Sequence, residues 1–199
     1  MKKILLTLII ILSVQSWVKA DDVRDFEIEG MSIRDSLLEH VNEKLIIKNS
    51  INLYKLDEYY SFVKFFDQDS VYDGFQAHYH KDDKKYRMVS LEGIKLFKNN
   101  IEDCYDLREK IVSEVTNLFE NPKVVNENKT KLFADKSGKS TVTSTRFYID
   151  QESKYEDLQI SCYDWADGFK FGNGTVGTDK LTVSIMTDEY FDFLDRAYQ

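Results

Sequence analysis

Apolar and polar residues alternate with a period of two in a series of short runs, and with a period near 3.6 in three others. Those spacings put one side of a strand, or one stripe of a helix, against a core. The strand-like runs are residues 26–29, 60–66, 72–80, 85–97, 143–149, 158–165 and 181–186. Leu158, Ile160 and Cys162 share a face, as do Leu181, Val183 and Ile185. The polar stretch Lys81, Asp82, Asp83 and Lys84 predicts a hairpin turn between the third and fourth runs. Helical spacing is clearest over residues 101–119, where Ile101, Cys104, Tyr105, Ile111, Val112, Val115, Leu118 and Phe119 fall on one side. Asn100 stands as its cap, Glu102 and Asp103 occupy the positive first turn, and Pro122 ends it.

A shorter helix is predicted from Ser32, with Asp35 at the capping-box position and Ile33, Leu37, Leu38 and Val41 on one face. Thr187 caps a last helix striped by Tyr190, Phe193, Leu194 and Ala197. The order helix, three strands, helix, three strands, helix predicts an α+β fold, an antiparallel sheet with helices packed on one face. It also admits a division into two αβββ halves. The polar, lysine-rich residues 121–140 are expected as a long loop between them.

Ahead of these elements stand Lys2 and Lys3, an apolar run over residues 4–14, and a polar stretch ending in Val18, Lys19 and Ala20. This is the three-part layout of a secretory signal peptide. The apolar run falls short of the roughly 20 residues that span a bilayer. Cleavage after Ala20 is expected, a retained anchor being the rival reading, which leaves residues 21–199 as a single domain, periplasmic or secreted, with no stable membrane anchor. The first cysteine is Cys104, so no lipid-attachment cysteine lies near Ala20.

The whole chain carries a formal charge of −8, and the expected leader takes three lysines with it. A surface that acidic repels phosphate backbones and anionic lipid heads, which argues against nucleic acid or a membrane surface as partner. Basic proteins and cationic ligands remain compatible. With 42% hydrophobic residues and one proline, nothing in the chain has the composition of a disordered segment.

Cys104 and Cys162 each fall on the apolar face of their element, and in an exported chain a bond between them is expected. The other reading is a redox or nucleophilic thiol at Cys104, near a helix start; the lack of a CxxC motif weighs against it. His78 and His80 stand two apart on a strand, so their rings point the same way and suit a shared metal ion. Further ligands would come from His40, Asp73, Asp82 or Asp83, and a solvated strand end is the plainer reading.

Gly172, Gly174 and Gly177 spell GxGxxG, but a strand-like run follows where a dinucleotide fold needs a helix, so a hairpin loop is expected. Ser137 to Thr141 matches the end of a phosphate loop, with Phe133 where the earlier glycine belongs. Asp67, Asp69 and Asp73 lack calcium-loop spacing. No GxSxG, HExxH or standout carboxylate pair is present, and no cofactor is implied. Tyr59, Tyr60, Phe62, Phe65 and Phe66 make a strand apolar on both faces, one for the core and the other for core or a partner groove.

The run Phe26-Glu27-Ile28-Glu29-Gly30-Met31-Ser32-Ile33-Arg34-Asp35-Ser36-Leu37-Leu38, the Cys104 helix, residues 160–165 with Cys162 and Trp165, and residues 181–193 resemble an uncharacterised group of small exported proteins of marine alphaproteobacteria. The resemblance implies location and no particular activity; where that group shows glycine, this chain has Arg34. Gly30, Met31 and Ser32 also resemble the opening of small outer-membrane assembly lipoproteins, whose lipid-attachment cysteine is missing here. The expected function is a non-catalytic periplasmic binding or interaction module for an envelope protein or small ligand. The alternative is a small periplasmic metal-binding protein or hydrolase using His78 and His80.

Overall fold

A computed structural model describes residues 26–67, 70–98, 100–119, 122–148, 157–172 and 174–197. The expected leader, residues 1–20, lies outside them. Helix α1 (Glu43–Asn49) leads into strands β1 (Ser50–Ile51), β2 (Tyr59–Phe65), β3 (Gly74–His80) and β4 (Met88–Phe97). Helix α2 (Ile101–Leu118) leads into β5 (Lys123–Lys131), β6 (Thr141–Tyr148), β7 (Asp157–Asp164) and β8 (Asp179–Met186), and α3 (Asp188–Ala197) follows. All eight strands join one antiparallel sheet in the order β1-β2-β3-β4-β8-β7-β6-β5. Two meanders thus meet at β4 and β8, in register from Ser90 opposite Met186 to Phe97 opposite Asp179. The fold is α+β, as expected, but each half carries four strands rather than three.

The extra strands have a physical reason to escape a pattern search. β1 is two residues long, and β5 occupies the stretch expected as a loop. Only Val125 of β5 is partly covered, so no apolar alternation marks it. Lysines along an unpaired edge also discourage pairing with another chain. What remains of the loop, residues 132–140, is tied by the Asp135 carboxylate, which accepts from the backbone N–H and Oγ of both Ser137 and Ser140.

The helix expected from Ser32 does not form. Asp35 Oδ2 does accept from the Ser32 N–H at 2.9 Å, half of a capping box. Yet Arg34 sits at φ 74°, a left-handed conformation that ends helical propagation. Its N–H and that of Leu37 bond instead to Met88 O and Tyr86 O, zipping the segment onto the start of β4. A 3-10 turn, Leu37–Glu39, and then α1, capped by the Asn42 side chain, follow. Ile33, Leu37 and Val41 are buried as the pattern requires, while Leu38 is exposed.

Pleating divides the sheet into two unlike faces. On the first, Phe62, Phe75, Ala77, Leu91, Phe147, Leu158, Ile160, Cys162, Leu181, Val183 and Ile185 pack with Ile46 of α1 and with Cys104 and Val115 of α2. Cys104 and Cys162 are disulfide-bonded, 58 residues apart in sequence, fastening α2 to β7. On the second face Tyr59 and Met186, which alternate with that core, pack with Tyr190 and Phe193 of α3. The expectation of helices on one face therefore describes α1 and α2 but not α3. With the first face occupied, the α3 stripe finds its apolar contacts at Tyr59, Val89 and Met186.

Candidate binding face

Away from α3, the second face is built of small hydroxyls lying under longer polar side chains. Ser61, Ser90, Ser144, Ser161, Thr182 and Ser184 are all buried. They align because β6, β7, β8 and β4 place Ser144 opposite Ser161, Ser161 opposite Thr182, and Ser184 opposite Glu92. Gln159 spans the centre, its Nε2 donating to Ser144 Oγ at 3.2 Å and to Ser161 Oγ at 3.0 Å, while its Oε1 accepts from Arg146 Nη2 at 3.3 Å. Ser144 and Ser161 hydroxyls bond to each other at 3.0 Å. Lys180 pairs with Glu92 at 3.2 Å and lies over the Tyr163 ring. Gln76 Nε2 donates to Ser61 Oγ at 2.9 Å. The long side chains are thus held in fixed positions by one another, an arrangement that lowers the ordering cost of any contact made through them.

His78 and His80 both project from this face, as their spacing predicts, but into different surroundings. His78 is buried beneath α3, stacked on the Tyr190 ring at 4.7 Å, and burial lowers its pKa from 6.5 to about 3. His80 stands edge-on to Tyr59, with its Nδ1 accepting from the Asp82 N–H at 3.2 Å. Of the nominated co-ligands, Asp73 is engaged with Lys95 and the Leu96 N–H and Asp83 with Arg87, while Asp82 is exposed beside His80. His40 is exposed at the end of the 3-10 turn. Among the described residues no group of three His, Cys, Asp or Glu side chains is placed to hold a metal ion. The disulfide leaves neither cysteine as a thiol.

Of the aromatic strand, Phe62 belongs to the core and Tyr60 packs against it, Tyr59 lies under α3, Phe66 stacks on Phe75, and Phe65 is 55% exposed. The GxGxxG run falls in the β7–β8 connection, where Phe171 and Gly174 close a turn and a strand follows; Asn173 lies outside the described residues. The residues matching a phosphate loop sit in the Asp135 turn. Two open clefts flank the sheet. One, of about 570 Å³, lies between the β3–β4 hairpin and the start of α3, lined by Arg34, His80, Asp82, Arg87 and Glu189. The other, of about 520 Å³, is lined by Trp165, Asp164, Asp167 and Asp179. Asp179 is raised above the usual carboxylate range by burial and by its two acidic neighbours.

Sequence reasoning missed the polar face. Its signal was present as Ser, Thr and Gln recurring at the off-core positions of adjacent strand-like runs, Ser144, Gln159, Ser161, Thr182 and Ser184. Among the described residues no helix is long and apolar enough to cross a membrane. No family model matches the chain, and neither a curated protein nor a solved structure matches it.

Proposed function

We propose that the protein is a non-catalytic binding module acting outside the cytoplasm, periplasmic or secreted, that holds a folded protein partner against the second face of its sheet. The observation that carries this reading is the hydrogen-bonded lattice of Gln159, Ser144, Ser161 and Arg146 on a face that α3 crosses at one end, from Tyr59 on β2 to Arg146 on β6, where the guanidinium lies over the Phe191 ring at 5.6 Å. The hydroxyls bond to one another and to Gln159 rather than to a base, which suits recognition better than nucleophilic chemistry. The leader pattern and a fully buried disulfide support an oxidising location. The acidic charge favours a basic partner.

Photo-crosslinking side chains placed at Gln159 and Gln76, with Lys110 on the exposed side of α2 as control, test the reading in the native envelope. A partner captured from the sheet positions but not from Lys110, and displaced by unlabelled protein, is expected. Equal capture from all three positions, or none, overturns it. Amino-terminal sequencing of the envelope form tests the location, with a start after Ala20 expected and retention of residues 1–20 refuting cleavage.

A further inference from the structure

The α3 attachment is organised round one imidazole. His78 is 7% exposed, stacked on Tyr190 and tilted toward Tyr54 at 6.3 Å between centroids. Its Nε2 lies 3.2 Å from Gln76 Nε2, the amide nitrogen that also donates to Ser61. With that amide nitrogen as donor, Nε2 accepts through its lone pair and the imidazole is neutral, its proton on Nδ1. Nδ1 is buried and has no hydrogen-bond partner among the described residues. A second proton would give the ring two N–H donors, one facing another donor and one facing nothing.

Among the described residues no surrounding element offers that charge a counter-ion, and burial is what disfavours it. From the β1–β2 connection, the Tyr54 hydroxyl bonds to the Tyr190 hydroxyl at 2.7 Å, and Glu58 is held by both terminal nitrogens of Arg196 at 3.0 Å. From β2, Tyr59 donates to Glu189 of α3 at 2.8 Å. On its own strand stand Gln76 and His80, and β4 and β8 supply Ser90, Val89 and Met186. Among the described residues α3 is the last element, and it follows β8 directly at Thr187. Its release breaks no strand pairing.

We infer that α3 is an acid-released latch: protonation of His78 frees the helix from the sheet at the Thr187 hinge and uncovers Tyr59 and the adjoining corner of the second face. Burial holds His78 down to about 3 in the latched state, whereas the solvated imidazole of the released state has the ordinary value near 6.5. The opening equilibrium therefore rises about 30-fold between about pH 7.5 and pH 5, a window above the usual carboxylate range. The latch goes beyond the proposed binding role, and its test needs no partner.

Hydrogen exchange of the wild-type protein at pH 7.5 and 5, corrected for intrinsic rates, reads the opening directly. Protection of the amides of residues 191–197 is expected to fall about 30-fold while residues 181–185 of β8 stay protected. In His78→Phe, which keeps an aromatic ring and removes the proton, the fall should vanish. An imidazole NMR titration of the wild type stands independently of that variant's packing, with His78 expected to remain neutral from pH 7.5 to 5. Unchanged α3 protection, equal loss from β8, a fall that persists in His78→Phe, or a His78 titration near 6.5 would each overturn the latch.

Discussion

Reduction of the Cys104–Cys162 bond removes the covalent tie between α2 and β7, and its cost follows from the topology. The bonded residues are 58 apart, with β5 and β6 between them, so the cross-link closes a long loop in the unfolded chain. The chain-entropy relation gives about 4 kcal/mol for a loop of that length. Against a typical stability of about 5–15 kcal/mol, that is a quarter or more of the total. With a urea slope of about 2 kcal/mol per molar, the unfolding midpoint should drop by about 2 M on reduction. The slope itself should rise, because the reduced chain unfolds to a more expanded state. Far-UV circular dichroism of oxidised and reduced protein across a urea series measures both. Replacing both cysteines by alanine should cost more than reduction, since each sulfur is fully buried and its removal leaves a cavity. Coincident midpoints for the oxidised and reduced forms would refute the reasoning, showing that the reduced ensemble is already as restricted as the cross-linked one.

Gly93→Ala should cost about 1–3 kcal/mol, because its new Cβ would come 2.7 Å from the Tyr72 ring; near-UV circular dichroism should report the displaced tyrosine, along with a lower urea midpoint. Phe193→Ala should remove about 3–5 kcal/mol of packing from the small cluster under α3, so limited proteolysis should cut within residues 188–197 while the disulfide-bonded sheet survives. Unfolded His78 binds its proton near pH 6.5 and folded His78 only near 3, so global stability should be flat above about pH 7 and fall below 6.5. The loss should reach about 2 kcal/mol at about pH 5, and urea midpoints at the two pH values should converge in His78→Phe.

The elements legible in the sequence are those with one apolar side and a long enough run to show it. β7, β8 and α2 announced themselves through Ile160, Val183 and Val115, which sit in the core. Segments whose form is set by distant partners did not. Ser32 and Asp35 make half of a helix cap and still belong to no helix, because backbone bonds to Tyr86 and Met88 claim the segment first. β5 buries nothing that a period-two search detects; its place depends on pairing with β6. The same distinction separates the two readings of His78. Spacing correctly put it on one face with His80, but its burial comes with the stacked Tyr190 ring, which only the α3 docking brings above β3. Ser144, Ser161 and Ser184 likewise look like solvent positions within their own strands. Register makes them a surface: β6 beside β7 lets Gln159 reach Ser144 on the neighbouring strand and Ser161 on its own, and β8 and β4 continue the face through Ser184 and Glu92. Local pattern therefore fixes what each strand offers, and strand pairing decides which of those side chains share a face.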